Sequence, residues 1–121
     1  MLLKNSAIFN AKEPLQKLIE LKLPVKVSYA LARTASKLNE QLKIIEEVRQ
    51  SLFKKHGEQT DKGWEIKANS PNLPMFLAEI EELLAQEVEL DIQKVALPSN
   101  GADLNIEPVV LMALDWLVEV V

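Results

Sequence analysis

The stretch Val25–His56, VKVSYALARTASKLNEQLKIIEEVRQSLFKKH, decides the fold of this 121-residue chain. Its apolar residues recur every three or four positions, about 3.6 residues per step, which is the period of an α-helix. The apolar positions are Val27, Leu31, Ala35, Leu38, Leu42, Ile45, Val48 and Leu52. Every second one recurs strictly at seven residues while its companions drift, so the stripe precesses slowly, as on a nearly straight helix.

Both ends of this stretch carry the signals of a helix boundary. Pro24 suits the first position of a helix, because its φ is already helical and its missing N–H is not needed there. Gly57 follows the stretch as a C-cap, and the basic residues 54–56 complement the negative end of the helix dipole. The sequence therefore predicts one helix over Val25–His56.

A helix of 32 residues is long for a chain of 121 residues. It spans about 48 Å at 1.5 Å per residue, whereas a compact domain of this size has a diameter of roughly 35 Å. We expect such a helix to protrude, to bend or to pack on another chain. The length therefore predicts a homo-oligomer, most simply a dimer.

Charge is divided unevenly between the two halves of the chain. Residues 1–57 carry 11 Lys and Arg against 5 Asp and Glu, a net of +6, and residues 58–121 carry 3 against 13, a net of −10. A split of this kind is expected of a nucleic-acid partner, of a self-complementary assembly, or of two halves that neutralise each other in one fold. The sequence leaves these three explanations open.

Shorter elements are predicted on both sides of the long helix. Residues 1–9 have the character of a short strand, and Asn10 with Glu13 resembles a capping box that starts a first helix. Pro24 ends that helix. Residues 64–68 alternate as a strand does, and a further helix is expected from about residues 70–74 to residue 86.

Residues 88–97 alternate between apolar and acidic side chains, as a strand does, and then change phase. Val88 and Ile92 belong to one phase, whereas Val95 and Leu97 belong to the other, which predicts a β-bulge within one strand. Residues 98–103 are predicted to form a turn, and Leu104 with Ile106 a further short strand.

The C-terminal segment is apolar on nearly all sides. Pro108 suits the first position of a helix, and only Asp115 and Glu119 interrupt the apolar run, four residues apart. The pattern predicts a final helix from Pro108 to the C-terminus that is buried on most sides, either in the core of the chain or, alternatively, in an interface with a subunit or partner. The candidate interface residues lie on this helix and on the long one: Leu111, Leu114, Trp116, Leu117, Leu38, Ile45 and Leu52.

These elements predict an α+β fold in a single domain, residues 1–121, in which one long helix packs with two or three shorter helices and a small, mostly antiparallel sheet. Aromatic residues make up only 5% of the chain, so Leu, Ile and Val must fill the core. The absence of cysteine fits a reducing compartment, and it also suits a periplasmic protein. We see no secretory signal and no apolar run long enough to span a membrane, so no membrane partner is expected.

The residue inventory disfavours most enzyme classes. The single histidine, His56, would have to serve any classical nucleophilic triad, and its place at a helix end favours a capping role instead. Without cysteine, one chain cannot assemble a zinc site from His and Cys ligands. The three glycines are isolated, so no phosphate-binding glycine loop is present. We expect no catalytic residues, no metal and no cofactor.

Carboxylates are the abundant reactive groups. Glu79 and Glu82 share a helical face, and Glu87, Glu89 and Asp91 share a strand face. All-helical nucleotide pyrophosphohydrolases hold Mg²⁺ with glutamates at similar spacing, but no second helix offers a matching set. These acids are more simply explained as a solvated acidic face, as a row of charge that protects a strand edge, or as a row paired with cations. A metal-dependent hydrolase is therefore the third functional hypothesis.

Three cations of the long helix are candidate contacts for nucleic acid. Lys26, Arg33 and Lys37 fall on one helical face, where they would reach phosphates. The chain has no basic run and no aromatic residues interleaved with basic ones, so nucleic-acid binding is the second hypothesis. A solvated or salt-bridged helix face is the default alternative.

Three segments resemble a known group of proteins. They are KLPVKVSYALARTASKLNEQL from Lys22, EIEELLAQEVELDI from Glu79 and IEPVVLMALDWLVE from Ile106. Together they resemble a family of small uncharacterised proteins of bacteriophages and prophages of Gram-positive bacteria. The resemblance implies a phage-related origin and a setting inside the host bacterial cell, and it implies no activity, cofactor or site residue.

The first functional hypothesis follows from the long helix, the apolar C-terminal segment and the lack of catalytic groups. We expect a non-enzymatic interaction or structural accessory protein, a homodimer that binds another protein of the phage or its host. A nucleic-acid-associated accessory protein is the alternative.

Overall fold

The computed structural model describes residues 1–98 and 106–120. Within these ranges it contains four helices: α1 Asn5–Ile19, α2 Val25–His56, α3 Leu73–Ala85 and α4 Pro108–Ala113. It also contains six strands of three residues: β1 Leu2–Lys4, β2 Glu58–Thr60, β3 Gly63–Glu65, β4 Glu87–Glu89, β5 Val95–Leu97 and β6 Val118–Val120. The predicted α+β fold is confirmed.

The described strands form three separate two-stranded sheets. β1 pairs with β4 and β2 pairs with β3, both antiparallel, whereas β5 pairs with β6 in parallel. Strand pairing is therefore mostly antiparallel, as predicted, but no single sheet joins the strands of residues 1–98 and 106–120. The pairing of β1 with β4 and of β5 with β6 brings the two ends of the described chain onto the segment that follows α3.

The long helix has the predicted bounds. Its stripe is buried at Leu31, Leu38, Leu42 and Ile45, and Thr34 is buried beside them. The helix begins after Pro24, whose carbonyl accepts the first hydrogen bonds of the helix.

Gly57 ends the long helix in an extended conformation rather than in the left-handed one of the common glycine cap. A side chain would not fit at this position. A Cβ atom there would lie 2.5 Å from the Phe53 carbonyl oxygen and 2.7 Å from the Glu65 carbonyl oxygen. Glycine is therefore needed because β3 passes close to the end of α2.

The first helix begins at Asn5, five residues before the predicted capping box at Asn10. The Asn5 main-chain N–H donates to the Gln86 carbonyl (2.9 Å), and its side-chain Nδ2 donates to the Leu83 carbonyl (3.0 Å). The first contact satisfies a main-chain N–H at the helix start that has no partner within the helix, and the second fixes the Asn5 side chain against the end of α3. Pro14 consequently lies inside α1, where it removes one main-chain hydrogen bond.

The prediction of a helix from Pro108 to the C-terminus is wrong after Ala113. α4 stops at Ala113, and the chain then forms β6, which pairs with β5 in the register Val95 to Val118 and Leu97 to Val120. β-Branched valines suit a strand as well as a buried helix, and pairing with a buried strand decides between them.

The predicted β-bulge is also replaced by a different arrangement. β4 ends at Glu89 and β5 begins at Val95, and the two strands belong to different sheets. The change of apolar phase therefore marks a break between strands rather than a bulge. Leu104 and most of the predicted 98–103 turn lie outside the described residues, and Ile106 is not in a strand.

The buried apolar side chains form one cluster. It draws on α1 through Ile8, Leu15 and Leu18, on α2 through its stripe, and on the last described segment through Val110, Leu114 and Leu117. β5 contributes Val95 and Leu97. None of the described helices combines the length and the apolar character that crossing a membrane requires.

Adjacent isoleucines on α2 give a direct test of this core. Ile45 is 1% exposed and Ile44 is 53% exposed. We expect Ile45→Ala to lower the free energy of unfolding by about 2–5 kcal/mol, because it leaves a cavity in the core. Ile44→Ala, the matched control, is expected to change it by about 0.5 kcal/mol or less when the protein is dilute enough to be monomeric, because Ile44 is then exposed to solvent. Urea unfolding of the two variants measures the difference, and equal losses would contradict this placement of the helix.

Candidate functional site

A groove of ≈ 730 Å³ runs between the N-terminal half of α2 and residues 91–98, the segment that contains β5. One wall is helical and the other is a strand with the chain leading into it. Apolar and small side chains form much of the lining: Val27, Ala30, Ile92, Val95 and Ala96. The groove therefore offers a partner an apolar surface as well as charge.

Four cations line this groove. Lys26, Arg33 and Lys37 come from α2, and Lys94 comes from the opposite wall. The three helical cations meet there because they lie seven and eleven residues apart, or about two and three turns. The sequence thus predicted which helical cations share a surface, although not what that surface faces.

Lys94 was missed by sequence reasoning. It is the only Lys or Arg after Lys67, in an otherwise acidic part of the chain. That isolation was the available signal, but only the packing of β5 against α2 shows that Lys94 joins the cations of the helix.

Most of the positive charge in the groove is not neutralised by the described residues. Lys37 donates to the Asp91 carbonyl oxygen, and its Nζ lies 3.7 Å from the Asp91 carboxylate. Lys26, Arg33 and Lys94 form no ion pair within residues 1–98 and 106–120. The three are exposed, so the groove can hold an anionic group without displacing a protein carboxylate.

The acidic residues considered for metal binding lie in separate places. Glu79 faces the end of α2, Glu82 is exposed on α3, and Glu89 pairs with the N-terminal ammonium (2.8 Å). Glu87 lies in β4 opposite Lys4, and Asp91 lies at the groove. Among the described residues, no three acids or histidines come together in a way that would hold a metal ion.

The contacts of Glu79 join α3 to α2. Lys55 Nζ donates to Glu79 Oε1 (3.0 Å), and His56 Nε2 lies 3.3 Å from Glu79 Oε2. The hydrogen bond from Lys55, followed by the contact with His56, lowers the pKa of the Glu79 carboxyl, while partial burial opposes the shift. His56 itself is buried with its ring edge against Phe76.

The candidate interface residues are largely covered by their own chain. Leu38, Ile45, Leu114 and Leu117 are 0–2% exposed, so these side chains do not form an interface on the surface of this fold. They are buried because α1 and residues 92–97 pack over the stripe of α2 and because the C-terminal segment turns back into the core. Three others are half-buried: Leu52, Leu111 and Trp116.

Other apolar side chains are exposed instead. Ile44 and Val48 are exposed on α2, and Val109 and Met112 on α4. Sequence reasoning placed Val48 in the buried stripe, but the slow precession of the stripe carries this residue to its edge.

Comparisons of the chain with models of protein families, with curated proteins and with solved structures find no match.

The shifted pKa of Glu79 predicts a pH-dependent stability. A carboxyl whose pKa is lowered in the folded state stabilises the fold above its ordinary pKa, and this contribution is lost as the pH falls through the lowered value. We therefore expect Glu79→Gln to be less stable than the wild type at pH 7 and the gap to close as the pH falls below 4.5, the ordinary pKa of the group. Urea unfolding at several pH values measures the gap. Glu82→Gln, on the same helix, is the control, and a gap that is constant with pH would contradict the proposed cause.

Proposed function

We propose that this chain is a non-enzymatic interaction protein that holds an acidic surface of another protein in the groove between α2 and residues 91–98. The observation that carries the proposal is the convergence of Lys26, Arg33 and Lys94 from two walls of the groove, without ion pairs among the described residues. Charge that is brought together and left unpaired favours binding of an opposite charge.

The lining favours a protein partner over nucleic acid. Phosphate backbones are held by cations and polar groups, whereas this groove has an apolar floor that includes Val27 and Ile92. None of its lining residues in the described part of the chain is aromatic, so these residues give bound single strands no platform for stacking. An acidic segment with small apolar side chains matches both the rim and the floor.

Nucleic acid is the second candidate. It is favoured by one observation, namely that all three cations predicted as phosphate contacts line the same groove. Each phosphate contact adds to the salt dependence of binding. The net charge of −4 acts against it, because an acidic protein repels a long polyanion beyond the groove.

The resemblance to small proteins of bacteriophages and prophages supports a setting for this function. On that basis we place the protein in the cytoplasm of a bacterial host, as an accessory protein that binds a phage or host protein.

Binding of soluble poly-L-glutamate at low ionic strength tests the groove. We expect the wild type to bind it and the variant Lys26→Ala/Arg33→Ala/Lys94→Ala to bind at least about tenfold more weakly, because each lost pairing with a carboxylate weakens the complex. Fluorescence anisotropy of labelled polymer gives both affinities.

The matched control is Lys12→Ala/Lys22→Ala/Lys62→Ala, which removes the same charge from exposed residues that do not line the groove. An equal loss in both variants would show that net charge alone governs binding and would contradict the proposal. Labelled single- and double-stranded DNA are measured in parallel. Tighter binding of DNA, with the same dependence on the three groove cations, would favour the second candidate.

A further inference from the structure

One face of α2 carries the groove cations at one end and continues along the whole helix. At about 100° per residue, the positions of Lys26, Lys37, Ile44, Val48 and Lys55 fall within roughly 40° of one another. Arg33 lies at the edge of this sector. This face of α2 therefore runs from the basic groove, through the exposed apolar pair Ile44 and Val48, to Lys55 near the C-terminal end.

The far end of this face is bordered by acidic residues. Lys55 is bound to Glu79 of α3 (3.0 Å), which places α3 beside it. Glu82 lies one turn further along α3, and Glu81 and Glu82 are both exposed. Neither forms an ion pair with a cation of the described residues. Negative charge is thus available near the C-terminal end of α2, as positive charge is near its N-terminal end.

The two charged ends are evenly spaced about an apolar centre. Arg33 and the Lys55 that is paired with Glu79 each lie 11 residues from Ile44, or about 16 Å along the helix, so Arg33 of one copy would meet the Lys55–Glu79 pair of the other, beside the acids of α3. A two-fold axis through Ile44, perpendicular to α2, would lay two copies of the helix antiparallel. It would place the basic groove of each copy opposite α3 of the other, and Ile44 opposite Ile44.

We propose that the acidic surface accepted by the groove is that of a second copy of this chain, in a two-fold dimer centred on Ile44. This inference rests on the proposed function of the groove and names its partner. Each contact between groove and α3 occurs twice in such an interface. The exposed apolar residues lie at its centre and the charges at its rim, which is the usual anatomy of a protein interface.

Swapping charges between the two ends tests this arrangement. Lys26→Glu/Arg33→Glu makes the groove acidic, and Glu81→Lys/Glu82→Lys makes α3 basic, in both cases at exposed positions. Each variant alone would oppose like charges at both ends of its own dimer, so we expect its dimer Kd to rise about tenfold or more. Mixed together, the two variants restore attraction at both ends, so a heterodimer is expected.

Light scattering and sedimentation measure these masses at low salt and in 0.5 M salt, where screening weakens the pairs. The controls Lys12→Glu/Lys22→Glu and Glu13→Lys/Glu20→Lys make the same changes of net charge at exposed positions outside α2 and α3, and both are expected to dimerise as the wild type does. Ile44→Asp tests the centre, because it places two carboxylates across the axis, and we expect it to be monomeric at both salt concentrations. Val109→Asp, at an exposed residue of α4, is its control.

A wild type that is monomeric at low salt would overturn the dimer, as would a mixture of the two reversed variants that forms no heterodimer. A dimer that Ile44→Asp leaves intact would also overturn it. Binding of poly-L-glutamate decides the function of the groove separately when it is measured with the variant Ile44→Asp, because no second copy occupies the groove of a monomer. A monomer that binds the polymer through its groove would retain the proposed function with a different partner.

Discussion

The structure depends on covering one apolar stripe that follows α2 for most of its 32 residues. Burying each large apolar side chain of the stripe contributes roughly 1.5–3 kcal/mol, so little of it can be left in water. No other described helix exceeds 15 residues, so several elements together must cover the stripe. α1 and β5 pack on the N-terminal part, with Asn5 of α1 bonded to Gln41, and α3 packs on the C-terminal part, where Phe76 meets Phe53.

Because different elements cover the two parts of α2, positive and negative charge are concentrated near opposite ends of this helix. The N-terminal part of α2 is basic and lies beside the groove, whereas its C-terminal part is bordered by the acidic α3. Some charges meet within the chain, as in Lys37 with Asp91 and Lys55 with Glu79. Exposed pairs of this kind contribute about 0–1 kcal/mol each, so packing and not charge determines the fold. Neutralisation within one chain explains only part of the split, and the remaining charges are available to a partner.

The sequence predicted elements whose signals are local and missed those that depend on distant pairing. α2 was predicted with its bounds, because helical period, Pro24 and Gly57 agree within the segment itself. The start of α1 was missed because Asn5 is held by residues about 80 positions away. The C-terminal strand was missed because an apolar run rich in valine suits helix and strand alike, and pairing with β5 selects the strand. At the groove, the helical cations follow from spacing, whereas Lys94 requires knowledge of the tertiary fold.

The order of charge along α2 bears on the direction in which two such helices would pack. A parallel pair would set each basic groove beside the other and each α3 beside the other, and like charges would repel at both ends. An antiparallel pair sets opposite charges together at both ends. Because the same two patches would meet twice about one two-fold axis, the proposed contact would close on itself after two copies instead of continuing into a filament. In this arrangement charge determines the orientation of the two helices, and the exposed apolar pair Ile44 and Val48 determines their register.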